Sequence, residues 1–259
     1  MNGFQLEKFL VDELNEKNIE NLNQNLKKLI FKVYKQNFDS LTLIKANTLP
    51  PGSKPDIEIK INDNSKYLSL KKGSGNSIHQ EPLEDFISHL DSIIDLPPEI
   101  ADDLRFFIWG DGSIDGSGVN INGINLGNRY SASQLVKLHS DVVNRLRQFF
   151  SPGDHLGKLI ERFSLMGTSH LESADFIVHT NENYVNSCSI IDGKKFVLKA
   201  NSNEYNNHFQ DYRQALPFGI ALSLQAWNRN ITYKPDKEIR RGHIQLKITK
   251  IGEKIINDE

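Results

Sequence analysis

Three observations predict a mixed α/β fold. Residues 4–38 repeat apolar side chains at helical spacing, residues 56–72 alternate polar and apolar as paired strands do, and residues 128–259 mix both patterns. At 259 residues the chain is long enough for a core domain plus a second module. The expected division is a core over 1–127 and an α+β region over 128–259.

From Phe4 to Phe38, Leu6, Phe9, Leu10, Leu14, Leu22, Leu26, Leu29, Ile30 and Val33 predict helix, with the Asn-rich stretch at Asn18 and Asn21 dividing it in two. Leu41–Ala46 is a short β-prone run, and Pro50, Pro51 and Gly52 close the loop after it. Asp56–Ile61 and Lys66–Lys72 predict half-buried strands around a turn at Asn62–Ser65, followed by a glycine-rich loop, Gly73–Ser77. Pro82 opens a helix that ends at Pro97-Pro98, and the continuous apolar run Leu104–Trp109 predicts a buried central strand. In the second half, Ser131–Phe150 and His155–Phe163 predict helices. Ala174–His179, Ser187–Ile191, Lys195–Ala200 and His243–Ile248 predict strands, with a hairpin at Asp192-Gly193. Tyr212–Trp227 predicts a helix, with Phe218 and Trp227 in the core.

The net charge of -2 conceals an uneven distribution. Residues 1–72 carry 12 Lys against 9 acids, residues 73–119 carry Arg105 against 10 acids, and residues 120–259 carry 18 bases against 14 acids. Eight of nine arginines lie at or after Arg129, so near-neutrality does not exclude a polyanionic partner. No apolar stretch approaches the roughly 18–20 residues that span a membrane. The polar residues after Met1 give no secretory signal, and the single Cys188 excludes an internal disulfide and a multi-cysteine zinc site. A reducing cytoplasm is the expected location.

The two strands at 56–72 concentrate the chemistry. A four-residue loop would set Ile61 opposite Lys66, Asp56 opposite Lys71 and Glu58 opposite Ser69. Asp56, Glu58, Lys60, Tyr67, Ser69 and Lys71 then share one face, over an apolar layer of Ile57, Ile59, Ile61, Leu68 and Leu70. Carboxylates beside a lysine suit phosphodiester hydrolysis, because carboxylates hold hard divalent cations and a lysine stabilises charge on phosphorus. A surface hairpin with a cross-strand ion pair is the plainer alternative.

Pro55-Asp56 followed by Ser69-Leu70-Lys71 resembles the PD-(D/E)xK nuclease superfamily, and the expected order of elements over 4–109 is similar to that superfamily's restriction-endonuclease-like αβββαβ core. The resemblance implies a Mg²⁺-dependent DNA endonuclease, with Mn²⁺ as a substitute, acting on double-stranded DNA as a homodimer, of restriction or other defence type. It implies Asp56 and Lys71 as catalytic residues. Ser69 stands where the superfamily usually has Asp or Glu, as in some type II restriction enzymes that take the carboxylate from the following helix. Glu81 is the first candidate for that ligand, Glu58 the second and Glu84 the third. A second alignment uses Glu58-Ile-Lys60 with Asp39, and Glu7 or Glu13 is the candidate for an assisting acid on the first helix. Lys72, Ser74, Asn76, Ser77, Gln80, Arg240 and Arg241 are the candidate DNA contacts. A binding module of this fold without activity, and a nuclease for branched DNA or RNA, are the alternative functions.

Other signals are weaker. Asp111–Gly116 begins like a calcium loop, but Asn122 stands at the twelfth position, which favours a tight turn. His79, His170 and His179 lack zinc-ligand spacing. No G-x-S-x-G or Walker A pattern occurs.

Overall fold

The computed structural model describes residues 3–50, 53–72, 77–118, 129–166, 172–180, 189–202, 216–227 and 242–257. The chain forms two compact units, each discontinuous in sequence. The first comprises 1–76, 160–199 and 253–259, and the second 77–159 and 200–252. These follow packing and do not coincide with the boundary at 127–128 expected from the sequence.

The first unit is built on a six-stranded mixed sheet. Its strands are β1 (Lys17–Asn18), β2 (Leu43–Thr48), β3 (Ile57–Ile61), β4 (Asn64–Lys72), β6 (Phe176–Thr180) and β7 (Ser189–Asp192), in the order β1-β2-β3-β4-β6-β7. Among the described strands, only β4 and β6 pair in parallel. Helices α1 (Gly3–Leu14) and α2 (Gln24–Tyr34) bury Leu6, Leu10, Leu14, Leu26, Leu29, Ile30 and Val33 in one core with Ile57, Ile59, Ile61, Leu68 and Leu70. The break between the helices falls where the Asn-rich stretch predicts it, and Asn23 Oδ1 caps α2 by accepting from the amides of Asn25 and Leu26. Tyr34 ties α2 to the hairpin, its hydroxyl donating to the Ile59 carbonyl at 2.7 Å.

The β3–β4 turn is tighter than the sequence suggests. Ile61 pairs with Asn64, so the loop is Asn62-Asp63, and Asn62 adopts φ 54, which a two-residue hairpin turn requires. Every cross-strand pair is therefore displaced by two residues: Glu58 faces Tyr67, and the same register carried one step on puts Asp56 opposite Ser69. A shift of two preserves the faces. A shift of one would pull five buried aliphatic side chains out of the core, a loss on the order of 10 kcal/mol.

The second unit holds a four-stranded antiparallel sheet, β5-β10-β9-β8, from β5 (Ser77–Pro82), β8 (Leu216–Phe218), β9 (Leu222–Ala226) and β10 (His243–Ile248). Its helices include α3 (Leu83–Ile94), α4 (Pro98–Trp109), α5 (Ala132–Leu138) and α6 (Ser140–Phe149). The Trp109 ring lies against Gly116 and Gly242, both at positive φ. A Cβ on either would come within 2.6 Å of the indole. Three further α-helices are α7 (Asp154–Glu161), α8 (Gly193–Ala200) and α9 (Lys250–Asn257).

Four expectations are corrected. Residues 104–109 are the second half of α4, not a strand: Pro98 sits in the first turn and Gly110 at φ 60 ends the helix, so an all-round apolar run here marks a buried helix. The strand that flanks β4 is instead β6. Lys195–Ala200 belongs to α8, because Asp192 Oδ1 accepts from the Lys195 amide and starts a helix where a hairpin is expected. The described part of 212–227 is a β8–β9 hairpin turning at Gly219, φ 60. The helix expected over 131–150 is interrupted at His139.

Candidate active site

The first unit brings Asp56 and Lys71 together. Asp56 enters β3 with its amide bonded to the Leu68 carbonyl, and its Oδ2 accepts a short hydrogen bond from the Leu70 amide on β4. The same oxygen lies 3.9 Å from Lys71 Nζ. The carboxylate is thus held by backbone, and the lysine stays beside it. Ser69 faces the same side, 0% exposed, and its hydroxyl has no hydrogen-bond partner among the described residues. β6 continues this face: Ile177 and His179 sit beside Ser69 and Lys71 in the parallel register.

Two further cations belong to this site. Lys54, 7% exposed, and Arg162, 2% exposed, are buried, and Lys54 lies within electrostatic reach of Lys71, Asp56 and Arg162. Burial, helped by the like charges of Lys71 and Arg162 and opposed by Asp56, holds the Lys54 ammonium pKa well below the ordinary lysine range. Arg162 begins a π-helical turn, Arg162–Met166, that follows α7. Such turns re-aim side chains and recur at functional sites. On α1, burial first and then the charge of Asp56 raise the Glu7 carboxyl pKa, while Lys71 lowers it. Glu7 is therefore the α1 acid close to Asp56.

The other candidates are held as follows. Glu81 is on β5 of the second unit, a strand and not the expected helix. Its two oxygens lie 2.9 Å from His79 Nε2 and 2.8 Å from His89 Nδ1. Glu84 on α3 is engaged by Arg105, whose guanidinium holds its carboxyl below the usual range. Glu58 shares the face of Asp56 but is turned toward Tyr67. Lys60 of the second alignment is in β3, opposite Ser65, and Asp39 caps the turn before β2 by accepting from the Leu41 amide. Among the candidate DNA contacts, Lys72 ends β4, whereas Ser77 and Gln80 are on β5, hydrogen-bonded to each other at 2.9 Å. Ser74, Asn76, Arg240 and Arg241 lie outside the described residues. Asp111 forms a turn with Ser113, as expected.

Lys54 and Arg162 carry no motif. Their signals are a lysine directly before Pro55-Asp56, and an arginine flanked by Leu159, Ile160, Phe163 and Leu165. Among the described residues no three His, Cys, Asp or Glu side chains converge on one point. That still suits Mg²⁺, which keeps several waters and takes one or two carboxylates plus substrate phosphate. Asp56 and Glu7, within electrostatic reach of each other, could supply those carboxylates.

No family model matches the chain, and no curated protein matches it. Among solved structures, it is similar to the restriction endonuclease MspI, crystallised in complex with its cognate DNA. The TM-score is 0.56 and the identity 15%, over 93% of this chain and 87% of that one. No helix among the described residues is long and apolar enough to cross a membrane. The chain has the restriction-endonuclease-like fold, a mixed α+β architecture.

Proposed function

We propose that this protein is a metal-dependent DNA endonuclease of restriction type. The observation that carries the reading is the Asp56–Lys71 pair, 3.9 Å apart where β3 and β4 lie side by side in a restriction-endonuclease-like fold. Asp56 and Glu7 would hold the metal. A bound Mg²⁺ or Mn²⁺ supplies an activated water and neutralises charge on the phosphate. Lys71 orients that water and stabilises charge as the phosphorus becomes pentacoordinate. Arg162 adds fixed positive charge behind it, Lys54 adds a second basic group, and Ser69 offers a hydroxyl in a dry setting where each hydrogen bond counts for more. The Arg-rich region 128–259 serves target recognition or dimerisation, and a homodimer would match a symmetric duplex site.

Incubating the full chain with long duplex DNA and Mg²⁺, and sequencing the ends, tests this. Cleavage is expected, and Asp56→Ala and Lys71→Ala should abolish it with the fold intact. Unchanged cleavage by Asp56→Ala overturns the assignment. A panel of duplex, junction and RNA substrates separates the double-stranded reading from its alternatives. Ser69, in place of a carboxylate, favours a second reading: a nucleic-acid-binding module without activity. Calorimetry with Mn²⁺ decides between them, since that module would show no binding that Glu7→Gln or Asp56→Asn removes.

A further inference from the structure

The face that carries Asp56 and Lys71 continues along the hairpin into a cleft of 550 Å³, within the first unit. Leu49, Ser53, Glu58, Tyr67, Met166 and Glu172 line it. The volume is typical of a small-molecule site. Glu58 stands two residues along β3 from Asp56, and Tyr67 two residues along β4 from Ser69, about 7 Å at strand rise. A base in the cleft and a phosphate at Lys71 would therefore belong to the same or adjoining nucleotides.

The lining selects its ligand. Tyr67 gives an aromatic wall, with Leu49 and Met166 as apolar neighbours, which suits a flat ring. Glu58 faces Tyr67 across the hairpin, and both Glu58 and Glu172 act on its phenol, whose pKa is raised by burial first and then by these carboxylates. Asp175 is committed elsewhere, accepting from the Tyr67 amide and pairing with Lys66. The cleft is thus rich in acceptors. It repels phosphate, which the Lys54–Lys71–Arg162 side attracts, and it favours a ring edge rich in N–H donors.

Among the four DNA bases, guanine alone sets two N–H donors side by side, N1–H and N2–H₂, the pattern one carboxylate accepts bidentately. Adenine and cytosine set a ring-nitrogen acceptor beside their amino group, and thymine flanks its single N–H with carbonyls. We propose that the cleft takes an unstacked guanine next to the phosphate to be cleaved. Glu58 accepts from its Watson–Crick edge and Tyr67 stacks on its plane. Bases removed from the stack are read in this way, by the Watson–Crick edge and by aromatic stacking. The proposal rests on the nuclease reading of Asp56 and Lys71 for the position of the phosphate.

The test is calorimetric titration of the full chain with dGMP, dAMP, dCMP and TMP at fixed salt, alongside end-sequencing of duplex cleavage. The expected result is dGMP binding at least about tenfold tighter than the other three, with that preference lost in Glu58→Gln and Tyr67→Leu but kept in Asp56→Ala. Glu172→Gln serves as the second carboxylate variant if Glu58→Gln folds poorly. Equal binding of the four nucleotides, or an unaltered preference in Glu58→Gln, overturns the proposal. Guanine preference without cleavage would retain the cleft and remove the nuclease reading. Cleavage without guanine preference would do the reverse.

Discussion

Lys54 gives the sharpest test of the charge arrangement. Replacing it with Met keeps most of the buried stem and removes an ammonium that sits at 7% exposure beside Lys71 and Arg162. Burying an ammonium is costly, and an apolar group of similar size does not bear that cost. Lys54→Met should therefore be more stable than wild type at pH 7. The Lys54 pKa is lowered on folding, so between that lowered value and the unfolded 10.5 the unfolded chain binds a proton that the folded chain does not. Wild-type stability therefore rises with pH across this window, by at most about 1.4 kcal/mol per pH unit. The advantage of Lys54→Met should shrink as pH climbs toward 10.5. Urea unfolding of both proteins from pH 6 to 10 measures it, and DNA cleavage by the variant should fall on the order of a hundredfold. A variant less stable than wild type at pH 7, with a gap independent of pH, would refute the reasoning.

Other perturbations report on other parts. Tyr34→Phe removes the hydroxyl bond to the Ile59 carbonyl and should cost about 1–2 kcal/mol, read as a lower urea midpoint at unchanged slope. Gly242→Ala combines φ 72 with a Cβ 2.5 Å from the Trp109 ring. It should cost about 1–3 kcal/mol and shift Trp109 fluorescence; a silent substitution would show that the glycine contact is not tight. Glu7→Gln removes a carboxyl whose pKa is raised on folding. Wild-type stability therefore falls as pH rises from 4.5 through that raised value, and the variant should lack this slope while binding Mn²⁺ more weakly.

The residues that specify the β3–β4 hairpin were legible because alternation fixes faces by parity alone. Asp56, Ser69 and Lys71 fall together in either register, even though the turn is two residues shorter than expected. The strand beside β4 was legible as a strand, at Ala174–His179, but its pairing with β4 was not. Nothing local tells Phe176–Thr180 to pair with Leu68–Lys72, whereas Leu104–Trp109 has the apolar content of a buried strand and the capping of a helix. Glu81 reads in the sequence as opening a helix, but it lies in β5, where His79 and His89 flank its carboxylate. Lys54 and Arg162 stayed hidden because burial, not type or spacing, marks them, and burial emerges only when a distant segment packs down.

The parallel pairing of β4 with β6 has a consequence for synthesis. Its partners lie 108 residues apart, as Leu68 with Phe176 and Ser69 with Ile177. At about 5–20 residues per second, the outer edge of β4 waits roughly 5–20 s on the ribosome for its partner. An open strand edge invites pairing with other chains. Lys66, Lys71 and Lys72, spaced along that edge, oppose such pairing by charge until β6 arrives. The lysine assigned to phosphodiester chemistry thus also guards the nascent chain, and Arg162 reaches the site only in the same late stretch. The nascent protein therefore has no complete site until most of it has been made.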